Sequence, residues 1–338
     1  MCARGYSPLD RTPNFEEEVK LYLMARTTTL FTSTLFLLLT FFTLSANAQS
    51  TRVYVATSGN DSNNCAVQSP CQTVTKALTV VATGGEVVIT ENGDYDPFVV
   101  TKSVTVTAAP GINANIFPDP DSGGAIYIPK TLTAGDVVSI RNLNIKSNVV
   151  PASSYGIINV GAGMLSVDGC TITGLIEGIG SGANSQVFIH DTTLRNNNIA
   201  IHSSAASVEG LVRLVVDHCH VEQNAYGVYL DPKVLATVRD TVLSGNTTAA
   251  IYVFSNKSGM LDDVTVDNCL LSNNNGGLMA YTFNGGSVTA RLERNTIVRN
   301  STGVGASYPN TTIYTLQNNL IDANGTNING SLTPQMSK

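Results

Sequence analysis

Val167-Asp168-Gly169-Cys170, Val216-Asp217-His218-Cys219 and Val266-Asp267-Asn268-Cys269 are one tetrapeptide written three times. Weaker copies lie between and beyond them, at 140–143, 189–192, 238–241, 292–295 and 316–319. Taking the last residue of each copy as an anchor gives steps of 27, 22, 27, 22, 28, 26 and 24 residues, a mean period of about 25. Two positions past each anchor stands an apolar residue, from Ile145 and Ile172 to Ile297 and Ile321. Five past it stands Asn148, Asn197, Asn224, Asn246, Asn274, Asn300 or Asn324, with Leu175 the single break. A small residue and another apolar strand follow, as in Gly178-Ile179, Gly227-Val228, Gly277-Leu278 and Gly303-Val304.

Short β-branched strands parted by Asn and Gly turns cannot bury their apolar faces alone, so equivalent coils must stack. Stacking sets neighbouring strands about 4.8 Å apart and lines equivalent side chains into columns. The Asn column then forms a ladder, because each amide can donate to the coil on one side and accept from the coil on the other. An antiparallel sandwich also needs many short strands, but it requires neither a constant period nor a column of one residue type. The expected fold is therefore all-β: a single-stranded right-handed parallel β-helix, a solenoid of about 25-residue coils.

The phrase anchor-x-apolar-x-x-Asn followed by Gly-apolar resembles the right-handed β-helix repeats of the pectate-lyase-like (pectin lyase fold) superfamily, over about 53–324. The opening Val53-Tyr54-Val55-Ala56-Thr57-Ser58-Gly59-Asn60-Asp61, with Cys65 and Cys71, resembles the first segment of exported β-helix proteins. After it, Ser69 and Pro70 can serve as N-cap and first helical residue. Val74, Ala77, Leu78 and Val81 then fall at helical spacing before Gly84-Gly85 stops the run. The expected division is 1–48 upstream segment and signal peptide, 49–86 N-terminal cap with a short capping helix, 87–325 parallel β-helix and 326–338 C-terminal tail.

Arg26, the apolar run 30–44 and Ala46-Asn47-Ala48 match the charged, hydrophobic and small-residue parts of a secretory signal peptide, with cleavage expected after Ala48. The run is shorter than the roughly 20 residues that span a bilayer, so no transmembrane domain is expected in the mature chain. Glu16-Glu17-Glu18 suit the start of a signal peptide poorly, which points to translation from Met24. Localisation is expected to be secreted, periplasmic or at the cell envelope. In that oxidising setting Cys65 and Cys71, closing a short polar loop, read as a disulfide. Cys170, Cys219 and Cys269 share a column with Thr192 and Thr241 between them. Two coils separate neighbouring thiols, about 9.6 Å, beyond disulfide reach, so buried free thiols are expected.

Of 338 residues 13% are charged and the net charge is -6, with Lys and Arg scattered, which excludes a phosphate-neutralising surface and nucleic acid as partner. One column near the anchor reads Asp168, His190, Asp217, Arg239, Asp267, Glu293, and beside it run Asp191, His218 and Asp240, with His220 adjacent. A metal or acid-base role for Asp191, His218, His220 and Asp240 is the sharper reading. An ion-pair ladder on a solvated face explains the alternating signs more simply.

The resemblance implies a working groove along one sheet, expected here to be the strand after the Asn ladder. Alternation from its first inward residue turns His202, Tyr229, Asp231, Tyr252, Phe254, Met279 and Tyr281 outward, an aromatic strip with one carboxylate. Aromatic faces can stack on sugar rings, and equally suit any exposed strand. No paired acid is expected there, because Asp262-Asp263 is assigned to another face. The polygalacturonase signatures Asn-Thr-Asp, Gly-His and Arg-Ile-Lys do not occur, so no catalytic residue carries over. The partner expected is a polysaccharide or cell-surface glycan, with lyase or hydrolase activity unsupported by an acid cluster and Ca2+ implied only for a lyase. The alternative is a non-catalytic surface or adhesion scaffold. Sequons at Asn246, Asn300 and Asn324 fall on the ladder, where a glycan could not coexist with the stacked amide.

Overall fold

A computed structural model describes residues 19–20, 49–118, 124–147, 154–161, 163–182, 184–205, 210–306 and 308–335. Apart from Val19 and Lys20, the upstream segment lies outside the described residues, with Met24, the expected signal peptide and its Ala48 cleavage point. So does the ladder residue Asn148. Gln49–Lys338 forms one compact unit.

Within it each coil gives one strand to each of three sheets, and the described strands make one sheet of 12 and two of 10. Neighbours within a sheet are one coil apart in sequence and pair in parallel, so the sandwich alternative is excluded. In the first sheet Ile140, Val167, Ile189, Val216, Val238, Val266 and Leu292 lie in register, reproducing the spacing of the tetrapeptides. The second sheet carries the three-residue strands with Ile172, Leu194, Val221, Leu243 and Leu271 in one file. The third stacks Ile179, Ile201, Val228, Ile251 and Leu278. All of these residues are fully or almost fully buried, and each contributes roughly 1.5–3 kcal/mol of apolar burial.

Both short corners turn through left-handed backbone. Before the anchor, Asn142, Gly169, Asp191, His218, Asp240, Asn268 and Arg294 have φ between 46° and 62°. Before the Asn ladder, Gly174, Asn196, Gln223, Gly245, Asn273 and Arg299 have φ between 56° and 77°. Gly, Asn, Asp and His are the residues that tolerate this region best.

The ladder forms as expected. Asn197, Asn224, Asn246, Asn274 and Asn300 each donate from Nδ2 to Oδ1 of the next member at 2.9–3.1 Å. The same oxygen takes the previous member's backbone N–H. Asn324 ends the run on Asn327. At the anchor column the amides of Cys170 and Cys219 donate to Thr192 and Thr241 Oγ1, each at 3.3 Å, so the intervening threonines serve the backbone. The three thiols are free and buried, and burial pushes them up to about 12, 11 and 12.

Cys65 and Cys71 are disulfide-bonded. The capping helix spans Val74–Val80 and buries Val74, Ala77 and Leu78 against the core. Its N-cap is Thr73 rather than Ser69: Thr73 Oγ1 accepts from Lys76 N, while Ser69 Oγ donates to Asn64 within the disulfide loop. The helix ends before Val81, whose extended backbone opens strand Val81–Ile89 straight through Gly84-Gly85. The sheets also outrun the expected 87–325 limits. Ser50–Val55, inside the expected 49–86 cap, pairs with Val81–Ile89 as the outermost strand of the first sheet. Thr326–Gly330 and Thr333–Pro334, from the expected tail 326–338, pair onto the last coils, because their backbone meets a sheet edge that still has unpaired groups.

Candidate functional site

The third sheet presents the aromatic strip. Its strands Ile199–Ser204, Tyr226–Asp231, Ala249–Ser255 and Gly276–Thr282 set His202 opposite Tyr229, Tyr229 opposite Tyr252, and Phe254 opposite Tyr281. All are half-buried on the outer face, as alternation requires. Met279 follows Tyr252 in the file. Ring centroids lie 5.1 Å apart for His202–Tyr229, 5.1 Å for the stacked Tyr229–Tyr252 pair and 5.0 Å for Tyr252–Tyr281. Tyr308 extends the run, 4.6 Å from Tyr281.

Tyr226 joins from the corner, edge-on to Tyr229 and Tyr252. It escapes strict alternation because both Gly227 and Val228 face inward where the chain rounds the ladder corner. A Cβ at Gly227 would stand 2.4 Å from Ala250 O, so only glycine passes there. Among the described residues, no hydroxyl of Tyr226, Tyr229, Tyr252 or Tyr281 bonds to a protein group. Burial pushes the phenols of Tyr229 and Tyr252 up to about 12, with the charge of Asp231 adding at Tyr229.

Titratable groups gather at one end of the strip. Glu177 Oε1 lies 2.9 Å from His202 Nδ1, and Glu177 reaches it by folding over Gly180, where a Cβ would meet Glu177 Oε2 at 2.8 Å. Bonded to the carboxylate, Nδ1 carries the proton in the neutral ring and leaves Nε2 an acceptor, yet Nε2 is buried without a partner. Asp231, two residues along from the position opposite His202, also holds a buried oxygen without a partner. Burial raises its proton affinity and the field of His202 opposes the rise.

The acidic pair Asp262-Asp263 lies on the first-sheet strand Leu261–Asp267, off the strip. Asp262 turns inward where the third sheet passes to the first, fully buried, its Oδ1 accepting from Val234 N at 3.0 Å. Burial, and then the field of Asp231, push it up to about 6. Asp263 alone faces outward, paired with Arg291. Alternation back from the buried Val266 and Val264 places Asp262 inside, which is the signal the sequence held.

The other candidate group, Asp191, His218, His220 and Asp240, is not brought together. His220 lies on the second sheet, 3.6 Å from Glu222, and Asp240 takes a hydrogen bond from Asn268 at 2.6 Å. Instead His190 gathers two sets, one with Asp168 and Asp191 and one with Asp217 and His218. Asp217 is ion-paired to Arg239 at 2.8 Å. Burial opposes its charge, but hydrogen bonds from Arg239 and His218 prevail and hold its carboxyl below the usual range. Asp267 pairs with Arg294 at 2.6 Å, so much of this column is the ion-pair ladder its alternating signs suggested. A shallow cleft of about 410 Å³ opens beside it on the first sheet, lined by Phe188, His190, Val215, Asp217, Thr237 and Arg239.

Residues 126–291 match the family described as right handed beta helix region. The chain folds as a right-handed parallel β-helix. The β-helix protein matches no curated sequence. Among solved structures it is similar to XylC in complex with xylose, at 9% identity and TM-score 0.57 over 78% of this chain and 68% of that one. Weaker likenesses are pectate lyase Pel9A, at 15% identity and TM-score 0.44 over 86% and 79%, and GH136 lacto-N-biosidase from Eubacterium ramulus, at 11% identity and TM-score 0.41 over 85% and 68%. Among the described residues no helix is long and apolar enough to cross a membrane.

Proposed function

We propose that the β-helix protein is exported and binds an uncharged glycan chain along the tyrosine strip of the third sheet. The observation that carries this is the unbroken run of rings from Tyr229 through Tyr252 and Tyr281 to Tyr308, whose contacts step from coil to coil. Rings spaced by about one coil, roughly 4.8 Å, offer an extended oligosaccharide repeated apolar faces. Their free hydroxyls can exchange hydrogen bonds with sugar hydroxyls. Export rests on the signal-like 26–48 segment, and a protein of the same fold has been solved with xylose.

Charge selects against a uronate. The third-sheet strands contain no Lys or Arg, while Glu177 and Asp231 stand beside the rings. Lys233 and Lys257 lie in loops past the strand ends. Any cleavage along the strip would draw on Asp231 and His202, the titratable groups nearest the rings.

A glycan array of neutral and uronate polysaccharides, probed with the full chain, tests the proposal. The expected result is binding to a neutral glycan, unchanged by salt and weakened at least tenfold in a folded Tyr229→Ala/Tyr252→Ala variant. Preferential, salt-sensitive binding to polygalacturonate would overturn the uncharged assignment. Binding to nothing would make the surface or adhesion scaffold the better reading. Product release from a bound polysaccharide would establish activity.

A further inference from the structure

The set around His190 is separate from the strip, on the corner between the first and second sheets. We propose that Asp168, His190 and Asp191 bind a divalent transition cation of the zinc class there.

Asp168 and His190 end neighbouring strands, Met164–Asp168 and Gln186–His190, directly opposite each other. Asp191 follows in left-handed backbone, φ 46°, which brings its carboxylate back to the same imidazole. His190 Nδ1 lies 3.3 Å from Asp168 Oδ1 and 3.3 Å from Asp191 Oδ2. Ligand atoms about 2.1 Å from zinc and at the tetrahedral angle lie about 3.4 Å from one another, so both edges already have the length of a coordination edge. For a plain N–H···O hydrogen bond the same distances are long. Two carboxylates and a neutral imidazole also supply the charge that a divalent ion needs.

The far side of the ring faces a carboxylate beyond hydrogen-bond reach. His190 Nε2 lies 4.0 Å from Asp217 Oδ2, and Asp217 is held by Arg239 at 2.8 Å and His218 at 2.7 Å. The same observation argues against the other set, His190 with Asp217 and His218. Both oxygens of Asp217 are engaged there, one by a guanidinium that an incoming cation would have to displace. Arg141, opposite Asp168 on the preceding coil, makes no ion pair among the described residues. The side chains of Asp168, His190 and Asp191 are 43%, 47% and 59% exposed, so water can fill the remaining positions.

Titration of the full chain with ZnCl2 by calorimetry at pH 7.5 tests the site. One saturable site is expected, abolished by His190→Ala, weakened at least tenfold by Asp191→Asn or Asp168→Asn, and changed less than threefold by His218→Ala. Each position is surface-exposed, and an unchanged metal-free Tm would show that the variants fold. Zinc anomalous scattering from a soaked crystal should place the ion at His190 Nδ1. No saturable binding to the full chain overturns the proposal. Loss with His218→Ala but not with Asp191→Asn also overturns it, because the ion would then sit on the Asp217 side.

Discussion

The Asn ladder and the tyrosine strip are both columns of repeated polar side chains on the same coils, one facing in and the other facing out. In the ladder every amide oxygen from Asn224 on takes two donors, and the nitrogens donate to the next amide and to a carbonyl of the previous coil. In the strip the rings touch one another while the hydroxyls of Tyr226, Tyr229, Tyr252 and Tyr281 find no protein partner among the described residues. A column whose polar groups satisfy each other is architecture. A column that satisfies only its apolar surface leaves its polar groups for something that arrives.

That contrast breaks if the two columns respond alike to truncation. Asn246→Ala should have the largest effect, destabilising by about 4 kcal/mol in urea unfolding, because it strands several buried partners at once. A loss below about 1 kcal/mol would mean that the ladder is not what holds the corner.

Asp262 lies between the two cases, buried like the ladder and incompletely bonded like the strip. Its proton affinity is higher folded than unfolded, so the folded state keeps the proton between about pH 4 and 6 while the unfolded state has lost it. Stability should therefore fall by up to about 3 kcal/mol as pH rises through that window. Asp262→Asn, which keeps the acceptor for Val234, should flatten the profile of Tm against pH; an unchanged slope would place the titration elsewhere.

Thr241→Val removes the acceptor of the Cys219 amide and should cost about 1.5 kcal/mol by the same unfolding assay. Tyr252→Ala should cost the least stability, about 1 kcal/mol for a half-buried ring in stacked contact, while glycan affinity drops at least tenfold. A Tyr252 loss as large as that of Asn246 would show the strip to be structural.

Much of this contrast was legible before any coordinates. The period, the ladder and the outward turn of His202, Tyr229, Asp231, Tyr252, Phe254 and Tyr281 follow from counting, since parallel stacking copies sequence register into space. What resisted counting sits at corners. Tyr226 was missed because Gly227 and Val228 both face inward, interrupting the two-residue rhythm. Asp262 lies on the inward side that alternation from Val264 gives it, which the charge of the residue hides from a reading by residue type. Asp191, His218 and Asp240 share a column because each occupies the left-handed turn before an anchor, which spacing alone does not reveal. Glu177 carried no pattern; it is recruited to His202 by the space that Gly180 leaves.

The alternation of Cys and Thr along the anchor column also limits how such a chain can lengthen. Copying a pair of coils keeps each thiol two levels from the next. Copying a cysteine coil alone would set two thiols on adjacent levels, about 4.8 Å apart, within the span a disulfide bridges. In an oxidising compartment that copy would invite crosslinking inside the wall, so a cysteine coil is copied safely only together with a threonine coil, whereas a threonine coil can be copied alone.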